Sequence, residues 1–143
     1  MKNVLFVSYY WPPAGGVPMN RIFRFYKYLP LYGWNPIILT INQGSYPIVE
    51  PTLLKEVRDD TLVFRSNNPI PSKKSSSSGV MYEITDKSNL NWKIILGKII
   101  KYNLIPDTRF YWYPFAFKTA KEILNTAKID LVFSSSPPQT NHV

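Results

Sequence analysis

The 143-residue chain contains no cysteine and a single histidine. The first absence excludes a disulfide framework, a thiolate nucleophile and a Cys-based zinc site, and a lone imidazole excludes a His-only metal cluster within one chain. Long apolar runs are missing as well. The longest candidate, WKIILGKIIKYNLI from residue 92, is interrupted by three lysines and falls short of the roughly 18 apolar residues a spanning helix needs. The opening MKNVLFVSYYWPP has an apolar run too short for a signal-peptide core, and that run meets aromatics and prolines rather than a small-residue cleavage site. It reads as a first β-strand, in a chain expected to be soluble or peripheral on a membrane.

Acidic residues are scarce. Nine Asp and Glu face 17 Lys and Arg, for a net charge of +8 and a pI near 9.7. That balance points to an anionic partner: a phosphorylated ligand, a lipid surface or a nucleic acid. Nucleic acid is set aside, because there is no helix-turn-helix, zinc-finger or RNA-recognition signature and the basic residues are dispersed.

What the chain does have is enough apolar matter for one domain with a real core, at 45% hydrophobic and 15% aromatic residues. Thirteen prolines add many corners. KNVLFVS (2–8) reads as a strand buried on both faces, as in a parallel sheet. Residues 18–32 read as a helix, with Pro18 in its first turn, Ile22, Phe25, Tyr26 and Leu29 on one face and Arg21, Arg24 and Lys27 on another. Pro30 should end or bend it and Gly33 close it. A second strand at 36–41 completes a β-loop-α-β unit. A short helix at 52–58, a strand at 61–66, helices at 89–105 and 114–127 and a strand from Ile129 continue the alternation. The expected fold is α/β, a doubly wound Rossmann-like parallel sheet of strand order 3-2-1-4. NNPIPSKKSSSSG (67–79) has almost nothing to bury and opens an insertion, to about residue 88, expected to be flexible.

In such sheets ligands bind beyond the carboxyl ends of the strands, and the loops at 8–18 and 134–142 should meet there. Gly15 and Gly16 suit a close approach of backbone N–H groups to phosphate, at the positive end of the following helix. The loop carries neither the G-x-G-x-x-G nor the Walker spacing, so an ordinary turn is the alternative.

Three segments, SYYWPPAGGVPMNR, PDTRFYWYP and SSSPPQTNH, taken together with the intervening strands, resemble the N-terminal half-domain of bacterial glycosyltransferases of the family 4 type, with the GT-B fold. The resemblance covers nearly the whole chain apart from the Ser/Lys insertion. It implies a retaining transfer of a sugar from a nucleotide-sugar donor to a saccharide or lipid-linked acceptor in polysaccharide or glycolipid assembly, with no metal and no further cofactor. Residues 1–143 would then be the partial, acceptor-side domain, inactive by itself because the donor-binding C-terminal domain is not in this chain.

By that resemblance, Gly15, Gly16 and Val17 lie near the donor phosphates. Tyr10, Trp11, Arg21, Asp107, Arg109, Trp112, Ser135, Thr140 and His142 are acceptor-binding candidates, and His142 is the one imidazole open to a catalytic part. Each has a plainer reading: Asp107 as a helix cap, Trp112 as core, His142 as a solvated helix-start residue and the serines as caps. Lys93, Lys98 and Lys101 fit a surface resting on anionic lipid at the inner face of the plasma membrane, or else an ordinary solvated helix face. The last strand leaves a sheet edge to be covered by further chain or by a second copy. The alternative to an enzyme is a non-catalytic ligand-binding or membrane-surface module.

Overall fold

Strand-length apolar runs separated by proline- and glycine-rich loops build a parallel sheet. The computed structural model describes residues 1–42, 46, 48–67, 107 and 109–143. Strand β1 (Lys2–Val7) leads into helix α1 (Val17–Tyr28), a 3-10 turn (Leu29–Tyr32) and β2 (Trp34–Ile41). A 3-10 segment (Pro51–Glu56), β3 (Val63–Ser66), another 3-10 turn (Phe110–Trp112), α2 (Tyr113–Thr126), β4 (Leu131–Ser134) and a last turn (Gln139–His142) follow. The sheet order is β3-β2-β1-β4 with every pairing parallel, as expected.

Alternation along β1 distributes the core. Val4 and Phe6 face α1, where they meet Met19, Ile22, Phe23, Tyr26, Ile38 and Trp11 in one cluster. Leu5, with Ile37 and Leu39 of β2, packs on the other face against Ile123 of α2. Burial on both faces is why β1 and β2 read as continuous apolar runs rather than alternating ones. At the amino edge, Asn3 sets the β1–β4 register: its N–H donates to Asp130 Oδ2 (2.8 Å), its Nδ2 to the Lys128 carbonyl (2.7 Å), and Asp130 N–H returns a bond to its carbonyl (2.9 Å).

Several boundaries differ from expectation. The helix expected over 18–32 stays α-helical only to Tyr28, and the chain tightens into a 3-10 turn where Pro30 cannot donate. Gly33 closes it in the left-handed region (φ 78°), its N–H reaching the Leu29 and Pro30 carbonyls. The helix expected at 52–58 is a six-residue 3-10 segment with no buried side chain. The third strand begins at Val63, two residues late.

β2 starts at Trp34, so Pro36 lies inside an interior strand, a place proline normally avoids. Ile38 N–H donates to the Leu62 carbonyl on the β3 side (2.9 Å). Position 36 faces the same side, below the first β3 pair at Ile38 and Val63, so its missing donor costs no ladder bond.

The insertion expected from 67 to about 88, apart from Asn67, and the helix expected at 89–105 with Lys93, Lys98 and Lys101 lie outside the described residues. No helix among the described residues is long and apolar enough to cross a membrane.

Candidate functional site

At the carboxyl ends of the strands the apolar runs finish on small polar residues, and these knit the edge together. Trp112 Nε1 donates to Oγ of Ser66, the last residue of β3 (2.6 Å), and Ser66 donates to the Thr40 carbonyl (3.2 Å) in β2. Thr40 Oγ1 donates to the Tyr9 carbonyl (3.2 Å) after β1. Tyr9 N–H donates to Asn141 Oδ1 (3.2 Å), and Asn141 Nδ2 reaches the Ser135 carbonyl (2.6 Å) after β4. All four strand ends are thus linked. Among the described residues no buried side-chain polar atom lacks a partner, the condition under which a buried polar network rigidifies rather than weakens a core.

The three segments singled out in the sequence, 8–18, 107–112 and 134–142, converge on this edge. Asp107 accepts from Arg109 N–H, from Thr140 N–H and from Thr140 Oγ1, each at 2.7 Å. It therefore caps the final turn from a distant part of the chain. Partial burial pushes its carboxyl upward, and the bonds from Thr140, Arg109 and Gln139 outweigh that, leaving its pKa below the ordinary value. Arg21 of α1 reaches Ser135 Oγ across the gap (3.5 Å). His142 is exposed, its Nδ1 2.7 Å from Ser134 Oγ.

Beside this edge, on the α2 face of the sheet, a cavity of about 230 Å³ opens. Trp112, Tyr113 and Phe117 form aromatic wall, Val7, Leu39 and Val132 the sheet side, and Ser134, Thr140, Asn141 and His142 the polar end. Phe110, Tyr113 and Phe117 stack in sequence at 5.8 and 5.7 Å along α2, with Lys121 Nζ 4.6 Å from the Phe117 ring. Aromatic side chains with a few convergent hydroxyl, amide and imidazole groups are suited to a small polyhydroxylated ligand.

Two glycines part company. The Gly15 N–H donates to the Ile48 carbonyl (3.0 Å), within a short antiparallel pairing of Ala14 with Val49. Its amide is therefore spent on the fold, which corrects the phosphate contact expected of it. A Cβ there would sit 3.0 Å from Ile48 Cγ2 and 3.2 Å from Glu50 Cβ, so Gly15 is glycine because another strand of chain lies against it. Gly16 is the N-cap of α1 at φ 93° and ψ 174°, and no side chain caps the helix. Gly16 and Val17 thus open the positive end of α1 at the carboxyl edge.

Trp11 and Trp112 are each 1% exposed. Trp11 packs edge-on against Phe23 and Tyr26 in the α1 core, so the acceptor contact expected of it gives way to a structural role. Trp112 lines the cavity but is almost wholly buried, its ring packed against Tyr9 (5.4 Å) and its Nε1 bonded to Ser66. Tyr10 is half-buried between Tyr9 and Tyr46.

Sequence reasoning did not single out Tyr9, Thr40, Tyr46, Arg65, Ser66, Tyr111 and Asn141. Arg65 donates to the Ile41 carbonyl (3.4 Å), Tyr46 Oη (3.3 Å) and the Pro12 carbonyl (2.8 Å), tying the first loop to β3. The available signal was a polar residue at or next to the end of an apolar strand, Thr40 in PIILTI and Ser66 in TLVFRS. Among the described residues no three His, Asp or Glu side chains gather in a metal-binding group. Compared with protein-family models, curated proteins and solved structures, the chain matches none.

Proposed function

We propose that this chain forms the N-terminal, acceptor-side part of a retaining GT-B glycosyltransferase of the family 4 type, acting on a saccharide or lipid-linked acceptor at the inner face of the plasma membrane. The observation that carries the reading is convergence. The three segments on which the resemblance rests are far apart in sequence, yet Asp107 bonds Thr140 and Arg21 bonds Ser135, so all three line one edge of the sheet. A parallel sheet of order 3-2-1-4 brings ligands to this edge, where the strand order reverses between β1 and β4.

In this reading the cavity beside Trp112 receives a sugar ring of the acceptor. Tyr113 and Phe117 offer apolar ring surface to its C–H groups, and Ser134, Thr140 and His142 offer partners to its hydroxyls. The Ser134 bond fixes the His142 ring at the mouth. The N–H groups of Gly16 and Val17 face the donor diphosphate, which is held mainly by a second Rossmann-like domain, and stabilise the charge that develops on the leaving group.

The test is an assay of the natural gene product at full length against a panel of nucleotide sugars and acceptors, reading nucleoside diphosphate release. Turnover with one donor establishes the transferase. A folded full-length protein that binds saccharide but releases no nucleoside diphosphate from any donor overturns it in favour of a binding module.

A further inference from the structure

Arg109 sits at the same edge as the cavity, half-buried, in an unusual setting for a guanidinium. Its Nη1 donates to both Tyr9 Oη and Tyr111 Oη at 3.1 Å, these hydroxyls lie 3.1 Å from each other, and its central carbon rests 4.9 Å from the Tyr9 ring centre. Burial pushes the Tyr9 hydroxyl pKa up, so the phenol stays neutral and supplies no counter-charge. Burial also disfavours the Arg109 charge, but the hydrogen bond to Tyr111 favours it, and the guanidinium stays protonated. The nearest acid in sequence, Asp107, is committed to Thr140 and to the backbone of Arg109. Among the described residues the ion pairs are Lys27 with Glu56 and Arg58 with Asp60, and neither involves Arg109.

Arg65 provides the contrast within the same edge. Both of its terminal nitrogens are taken up by carbonyl oxygens and a tyrosine, so it acts as a clamp. In Arg109 a single terminal nitrogen carries both of the bonds to tyrosine. A guanidinium has five donors in a planar fork whose geometry matches an oxyanion, and a partly desolvated charge with no carboxylate partner among the described residues favours acquiring one.

We propose that Arg109, held in place by Tyr9 and Tyr111, is a binding site for an oxyanion, a phosphate or carboxylate group of the ligand that occupies the neighbouring cavity. Trp112 lies between the two: it lines the cavity and makes a T-shaped contact with the Tyr9 ring on which Arg109 rests. The identity of the molecule carrying the anion, an acidic saccharide or a phosphate-linked one, rests on the glycosyltransferase reading. The oxyanion site itself stands on the geometry.

The experiment is NMR on the ¹⁵N-labelled chain, following the assigned Arg109 Nε–Hε resonance. Inorganic phosphate and glucuronate are titrated separately against chloride at constant ionic strength, with glucose as the neutral control. A saturable shift with phosphate or glucuronate and none with glucose is the expected result, and the stronger of the two identifies the anion. In Arg109→Gln, binding should weaken by about tenfold or more, as loss of charged hydrogen bonds requires, while the charge-matched control Lys128→Gln, exposed at the amino edge of the sheet, should leave it unchanged. No shift of the Arg109 resonance with either anion overturns the site, as does undiminished binding in a folded Arg109→Gln. If Arg109→Gln does not fold, the wild-type resonance decides alone. Failure of sugar transfer with an intact Arg109 shift would defeat the transferase reading and leave the oxyanion site standing.

Discussion

Gly16 and Asp107 show how one residue serves the site through the fold. At φ 93° and ψ 174°, Gly16 occupies a region open essentially to glycine alone. Gly16→Ala should therefore destabilise the chain by about 1–3 kcal/mol in urea unfolding, although the added methyl would meet nothing closer than 3.6 Å. The cost is one of backbone conformation and not of crowding, and Gly15→Ala would fail for the opposite reason.

For Asp107 the folded-state pKa lies below its ordinary value of 3.8. The group contributes stability that is fully present above the unfolded pKa and is lost as pH falls through the folded one. Asp107→Asn should accordingly be less stable than the wild type at neutral pH. The difference should shrink in acid, below the unfolded value, as the wild-type carboxyl also takes up its proton. A gap that stays constant with pH would show that the carboxylate charge has no part in holding Thr140.

At the scale of elements, α2 depends on few side chains. Ile123 is fully buried against Leu5, Ile37 and Leu39, whereas its neighbour Leu124 is 51% exposed. Ile123→Ala should cost about 2–5 kcal/mol, and Leu124→Ala should stay within about 0.5 kcal/mol. Denaturant midpoints at unchanged m-value would check both. Much of this layer was legible in the sequence, because strand-length apolar runs and helical period report burial directly. The limits were set by local chemistry that period alone does not weigh. Pro30 shortened α1 to twelve residues, and the segment after Pro51 buries too little to hold an α-helix.

At the scale of the whole molecule, charge and edges matter most. β4 ends the sheet with Leu131 and Val132, 47% and 55% exposed, one toward each face. α1 carries a further exposed apolar stripe, Val17, Phe25 and Tyr28, among Arg21 and Arg24. With a net charge of +8, attraction to anionic surfaces should be strong at low salt and screened within about 10 Å at 0.1 M. Replacing Lys93, Lys98 and Lys101 together by Glu should reduce cosedimentation with anionic vesicles at low ionic strength. Unchanged binding would remove these lysines from any membrane contact.

The amino-acid sequence by itself determined the alternating α/β order, the parallel sheet with β1 and β2 buried on both faces, and the two loops, 8–18 and 134–142, at its carboxyl edge. These follow from short-range patterns: apolar runs, helical period, and the placement of proline and glycine. Tertiary structure alone decided what those segments do. It turned the Gly15 amide toward Ile48, sank Trp11 into the core, set Asp107 on Thr140 and suspended Arg109 between Tyr9 and Tyr111. The physical reason is separation along the chain. A tyrosine after the first strand and an arginine a hundred residues later share no local pattern, and only sheet pairing and helix packing bring their hydroxyl and guanidinium within hydrogen-bond reach.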